Sequence, residues 1–164
     1  MKNISEYRVV IVEDESVKNS KILSGLIDRL EDELNNYDCR VTRIAGYSEA
    51  MPVVGNEMDI DALLISTDME FDLPEEALAN RLLDLVARRQ PGVPVFLLAD
   101  RAETSNAISE ELMRRAHEYV WIFEDSPLFI AGRITSSIEN YRANLLPPLM
   151  KAVWQYNERS HEYS

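Results

Sequence analysis

The sequence predicts an α/β domain: a doubly wound, parallel, five-stranded sheet in the order 2-1-3-4-5, followed by a C-terminal linker helix. Three observations lead there. Short continuous apolar runs recur along the chain, as strands buried on both faces require. Amphipathic stretches of helical period separate them, so strand and helix alternate. The 164 residues suffice for one such domain with a little left over.

Arg8-Val9-Val10-Ile11-Val12 is the first strand, ended by the carboxylates Glu13 and Asp14. A helix follows from about Ser16 to Asn35, with Leu23, Leu26, Ile27, Leu30 and Leu34 on one face. Tyr37 to Ala45 is strand two. Ser48 to Val54 is a weak second helix, interrupted early by Pro52, which fits only a first turn. Strand three is Ala62-Leu63-Leu64-Ile65-Ser66. Pro74 opens a third helix carrying Leu78, Leu82, Leu85 and Val86, and Pro91-Gly92 stops it. Strand four is Val95-Phe96-Leu97-Leu98. Helix four places Ile108, Leu112 and Ala116 on one face and the pairs Glu110–Arg114 and Glu111–Arg115 on another. Tyr119 to Phe123 is strand five, with Trp121 and Phe123 expected in the core. Ser126 before Pro127 supplies a hydroxyl cap and a proline at the first helical position. Helix five then runs to about Arg142 on Ile130, Ile134 and Ile138. Past it, Asn144-Leu145-Leu146-Pro147-Pro148 breaks the helix and Leu149 to about Tyr156 restarts it. That apolar tail either folds back on its own domain or docks on a neighbour.

Composition removes several functions. Lys plus Arg total 17 against 29 Asp plus Glu, a formal charge of −12, which repels nucleic acid and anionic membrane alike. No apolar run approaches the roughly 18 residues of a membrane span, and the N-terminus has no signal-peptide core. One cysteine, Cys39, excludes an internal disulfide and fits a reducing, cytoplasmic setting. The glycines are isolated, so no phosphate-cradling loop forms, and no serine sits in a nucleophile-elbow context. His117 and His161 fall on different elements. With one thiol they make no zinc site, and His117 reads as a surface helix residue.

Ligands of such sheets bind beyond the carboxyl ends of the strands. Those ends carry Glu13-Asp14, Ser66-Thr67-Asp68, Ala99-Asp100 and Glu124-Asp125. The pattern resembles the flavodoxin-like fold of response-regulator receivers. At the working positions it departs: Ser66 stands where the phosphoaccepting aspartate belongs, Ala99 where a hydroxyl belongs, and strand five offers no lysine. Aspartyl phosphorylation, with Asp68 as the remaining candidate, therefore has little support. Glu13, Asp14 and Asp68 are weak candidates for holding a divalent cation, and the plainer expectation is no metal.

Three segments carry a more specific likeness: Val93-Pro94-Val95-Phe96-Leu97-Leu98-Ala99-Asp100-Arg101; Trp121-Ile122-Phe123-Glu124-Asp125 with Phe129-Ile130-Ala131-Gly132-Arg133; and Tyr141-Arg142-Ala143-Asn144-Leu145-Leu146-Pro147-Pro148-Leu149, ending in His161-Glu162-Tyr163-Ser164. Together they resemble the N-terminal region of the inducible bacterial Orn/Lys/Arg decarboxylases, nearest the arginine type. The resemblance implies a receiver-like wing domain over 1–143 and, over 144–164, a linker helix leading to a pyridoxal-phosphate core outside this chain. It implies no catalytic or cofactor-binding residue here, since the Schiff-base lysine belongs to that core. The implied partners are the rest of the decarboxylase and identical subunits. Leu145, Leu146, Pro147, Pro148, Leu149, Val153, Trp154 and Tyr156 are the expected interface.

A run of acids without a basic residue supplies a physical hypothesis for assembly: Glu57, Asp59, Asp61, Asp68, Glu70, Asp72, Glu75 and Glu76. Facing copies would repel at neutral pH, and protonation as pH falls would relieve it. A stand-alone pseudo-receiver that binds a partner without phosphotransfer is the alternative reading.

Overall fold

Alternation of exposed and buried residues around apolar runs builds a three-layer molecule. The computed structural model describes residues 6–13, 21–57, 59–67, 73–99, 114–121 and 125–145. Strands β1 (Tyr7–Glu13), β2 (Cys39–Ala45), β3 (Ala62–Thr67), β4 (Val95–Ala99) and β5 (Glu118–Trp121) form one sheet in the order β2-β1-β3-β4-β5. Every pairing is parallel, with Val9 opposite Val41 and Ala62, and Leu64 opposite Phe96. The expected sheet order is the observed one.

Because consecutive strand side chains point to opposite faces, the sheet divides its apolar residues between two cores. Val9, Ile11, Leu64, Phe96 and Val120 face α1 (Lys21–Asn36) and a long final helix, Pro127–Asn144. Val10, Val12, Leu63, Ile65 and Leu97 face α2 (Tyr47–Pro52) and α3 (Leu73–Arg89). The final helix is α4 in chain order. Its Ile130, Ile134 and Ile138 stripe is fully buried, as is the Leu23, Ile27, Leu30 and Leu34 stripe of α1 but for a trace of Leu23. Ser126 caps α4 as expected, its Oγ accepting from the Phe129 amide at 3.2 Å.

Several details differ from the sequence expectation. α2 ends at Pro52, the proline that interrupts the expected helix, rather than at Val54, and the chain widens into a π-helical turn over Val53–Glu57. Proline lacks the N–H that would bond back to the fourth residue before it, so the helical ladder is cut there. Strand two starts at Cys39 rather than Tyr37, because Asp38 takes a left-handed conformation (φ 63°) that turns the chain out of α1. His117 is exposed just ahead of β5 rather than on a helix, with its amide bonded to the Val95 carbonyl. Most of the expected helix four, Phe123, and the tail from Leu146 onward lie outside the described residues, and the boundary expected after Ala143 falls inside the last turn of α4.

Candidate functional site

At the carboxyl edge of the sheet, Glu13 ends β1 opposite Ser66, the next-to-last residue of β3. Both are buried, Ser66 at 1% exposure. Glu13 is not poised for a cation. Its Oε1 accepts from Arg43 Nε at 2.5 Å, and Arg43 also pairs with Asp28 and, at 3.7 Å, with Glu31 on α1. Burial works against the Arg43 charge, but the hydrogen bonds to Glu13 and Asp28 outweigh it and hold its pKa above the ordinary value. The guanidinium thus neutralises the carboxylate that the sequence offered as a metal ligand. The other two candidates, Asp14 and Asp68, lie outside the described residues. Among the described residues no group of three His, Cys, Asp or Glu is placed to hold a metal ion.

The opposite, amino edge carries a second buried cluster. Asp61, 8% exposed, accepts the Arg8 amide at 2.8 Å and the fork of Arg142, Nε to Oδ1 and Nη2 to Oδ2, both at 2.8 Å. Arg142 also donates to the Glu6 carbonyl at 2.9 Å and lies over the Tyr7 ring, 4.6 Å from its centroid. Its hydrogen bonds to Asp61 hold the guanidinium charged, above its ordinary range, against the opposing effect of burial. Gln90 completes the cluster. Its side-chain amide bonds both backbone groups of Ile60, at 2.9 and 2.7 Å, and donates to the Tyr141 hydroxyl at 3.2 Å.

This geometry corrects the acidic run. Asp61 is a buried, doubly bonded partner of Arg142 and presents no free charge to a facing subunit. The next carboxylate upstream, Asp59, is 83% exposed and pairs with Arg89 at 3.1 Å. Glu57 lies on the π turn, and Glu75 and Glu76 on α3. Asp68, Glu70 and Asp72 fall outside the described residues. Of the expected interface only Leu145 is described, and it is exposed just past α4.

Sequence reasoning missed Arg43, Gln90, Tyr141 and Arg142. An arginine inside a half-buried strand is a local hint of a buried carboxylate partner, but Arg142 and Asp61 are 81 residues apart and nothing local links them. It also missed Leu128 and Phe129, large apolar side chains left more than half exposed on α4 above a groove that Tyr37 and Gly132 help to line.

A pyridoxal phosphate site needs a lysine amine for the imine and groups to hold the ring nitrogen and phosphate. The lysine among the described residues is Lys21, exposed at the start of α1 beside Ile22, Gly25, Leu26 and Arg29. These residues do not fit that cofactor.

Comparison with known proteins places this geometry. Residues 24–141 match a family model described as Orn/Lys/Arg decarboxylase, N-terminal domain. The chain is 34% identical over 157 residues to the biodegradative arginine decarboxylase of Escherichia coli strain K12, covering 96% of this chain and 20% of that protein. A lysine decarboxylase of Pseudomonas aeruginosa is 22% identical over 157 residues, and its solved structure superposes with a TM-score of 0.78 over 94% of this chain and 21% of that one. A CheY-like receiver from Methanospirillum hungatei JF-1 superposes with a TM-score of 0.60 at 18% identity, over 85% of this chain and 99% of that one, a likeness of fold. The chain spans about a fifth of the length of the curated relatives it matches.

Proposed function

We propose, from the premise that this chain belongs to the family of Orn/Lys/Arg decarboxylase N-terminal domains, that it is the non-catalytic assembly domain of a pyridoxal-phosphate-dependent decarboxylase acting on arginine in the cytoplasm. The observation that carries the reading is the 34% identity to an arginine decarboxylase across nearly the whole chain, against 22% to a lysine decarboxylase. The site geometry agrees with a scaffold: buried Glu13 and Asp61 are each bound to an arginine and so are not available as general acids or bases. The partners are the remainder of the enzyme and identical subunits.

The net charge of −12 supports pH-gated assembly. Exposed carboxylates on facing copies repel when ionised and cease to do so as they take up protons. Asp61 is no part of this; Glu57, Asp59, Glu75 and Glu76 are the acids to vary, together with Asp68, Glu70 and Asp72. Sedimentation velocity of the full-length protein from about pH 8 down to about pH 5 should show association on acidification, with amide replacements moving the midpoint to higher pH. A midpoint unmoved by those replacements would remove the gating. Turnover of lysine or ornithine in preference to arginine by the same protein would remove the substrate assignment.

A further inference from the structure

The apolar stripe that seats α4 ends at Ile138, and beyond it Glu139, Asn140 and Asn144 are exposed. In the last turn Tyr141 is the one buried side chain, and it belongs to the core on the α2–α3 side of the sheet rather than to the isoleucine stripe. Polar contacts tie this turn to several other elements. Two consecutive residues, Tyr141 and Arg142, reach the entrance of β1 (Glu6 carbonyl, Tyr7 ring), the entrance of β3 (Asp61, and Ile60 through Gln90) and the end of α3 (Gln90).

The form of these contacts matters. A guanidinium that forks onto both oxygens of one carboxylate fixes the relative orientation of the two groups, which a single point charge does not. The Arg8 amide also donates to Asp61 Oδ2, the oxygen that takes Arg142 Nη2, and so restrains the carboxylate from turning with a moving arginine. Gln90 is likewise locked, with its amide bonded to both the N–H and the C=O of Ile60. Apolar residues of similar volume often replace a buried ion pair with no loss of stability. What the polar cluster adds is direction.

We infer that the Arg142–Asp61 fork and the Gln90–Tyr141 bond form a latch that holds the last turn of α4, and with it Leu145 just past the helix, in one orientation against the amino edge of the sheet. Asp61, Gln90, Tyr141 and Arg142 are positioning residues. In an assembly domain, which is the reading this inference deepens, such a latch makes the domain and whatever follows Leu145 move together.

The test uses the full-length protein with nitroxide labels at Asp32→Cys, on the exposed face of α1, and at Leu145→Cys. Native Cys39 is 5% exposed and its thiol is pushed up to about 11, so it stays unlabelled. The latched protein gives one narrow label-to-label distance. Arg142→Met, which keeps the side-chain bulk without the fork, broadens it, and amide hydrogen exchange over 139–145 rises about tenfold while 127–138 stays protected. Arg133→Met, at the other end of α4 where Arg133 pairs with Glu118 and Asp125, leaves both readings unchanged. Should Arg142→Met fail to fold, Arg142→Lys keeps the charge and loses the fork, and is read the same way. A distance that stays narrow, or exchange that rises equally along all of α4, overturns the latch and leaves the cluster as ordinary stabilisation. None of these readouts depends on turnover, so failure to decarboxylate arginine would sink the assignment of function and leave the latch standing.

Discussion

Cys39 shows what one buried titratable group does to stability. It begins β2 with 5% of its surface exposed, and burial pushes its thiol from 9.0 up to about 11. The neutral form is the one the fold accommodates. Between those values the unfolded chain gives up the proton while the folded chain keeps it, so this contribution to stability is intact below about pH 9 and is lost as pH rises to about 11. The stability advantage of the native protein over Cys39→Ala, measured by urea unfolding, should therefore shrink between about pH 8 and about pH 10.5. An advantage that is constant across this range would place the thiol in contact with water. The residue scale is also where the sequence was least legible. Glu13 and Asp61 looked like free carboxylates because a one-dimensional reading sees neither Arg43 crossing from β2 nor Arg142 arriving from the far end of the chain. Which acids remain charged toward solvent depends on tertiary pairing, and composition cannot supply it.

Elements were easier to read, because periodicity is a property of the element itself. The stripes of α1 and α4 and the apolar runs of the strands are the residues that build the two cores. Departures came where backbone chemistry outweighs pattern, at Pro52 and at left-handed Asp38. The cap of α4 is a local feature that the sequence did show. Ser126 Oγ takes up one of the amides left without a helical partner, and Pro127 follows with its ring already shaped for the first turn. Ser126→Ala should cost about 1 kcal/mol, a fall in Tm of roughly 2–4 °C by calorimetry, while Ser126→Gly costs less than alanine. Equal Tm values for native and Ser126→Ala would show that water satisfies the amide as well as the hydroxyl does.

At the scale of the whole molecule, the parallel order β2-β1-β3-β4-β5 and the receiver-like layering were legible from alternation alone, and the family from three short segments. Ser66 is nearly inaccessible and Glu13 is tied to Arg43. Incubation with a small phosphodonor and magnesium should accordingly leave the intact mass unchanged; a gain of one phosphoryl group would restore a signalling role, with Asp68 the first residue to examine. The same edge that serves chemistry in receivers here carries a tethered cation.

The interior position of β1, between β2 and β3, has a bearing on biosynthesis. Its two sheet neighbours, β2 and β3, both lie before residue 68, so a ribosome that has released the first part of this chain has already supplied the middle of the sheet and α1 to cover one face. Until Pro127–Asn144 emerges, however, Phe96, Leu98 and Val120 lack their cover of Ile130, Ile134 and Ile138. Translation that pauses before this stretch would leave an oily face open to chaperones, and completion of the helix would bury it and bring Arg142 to Asp61.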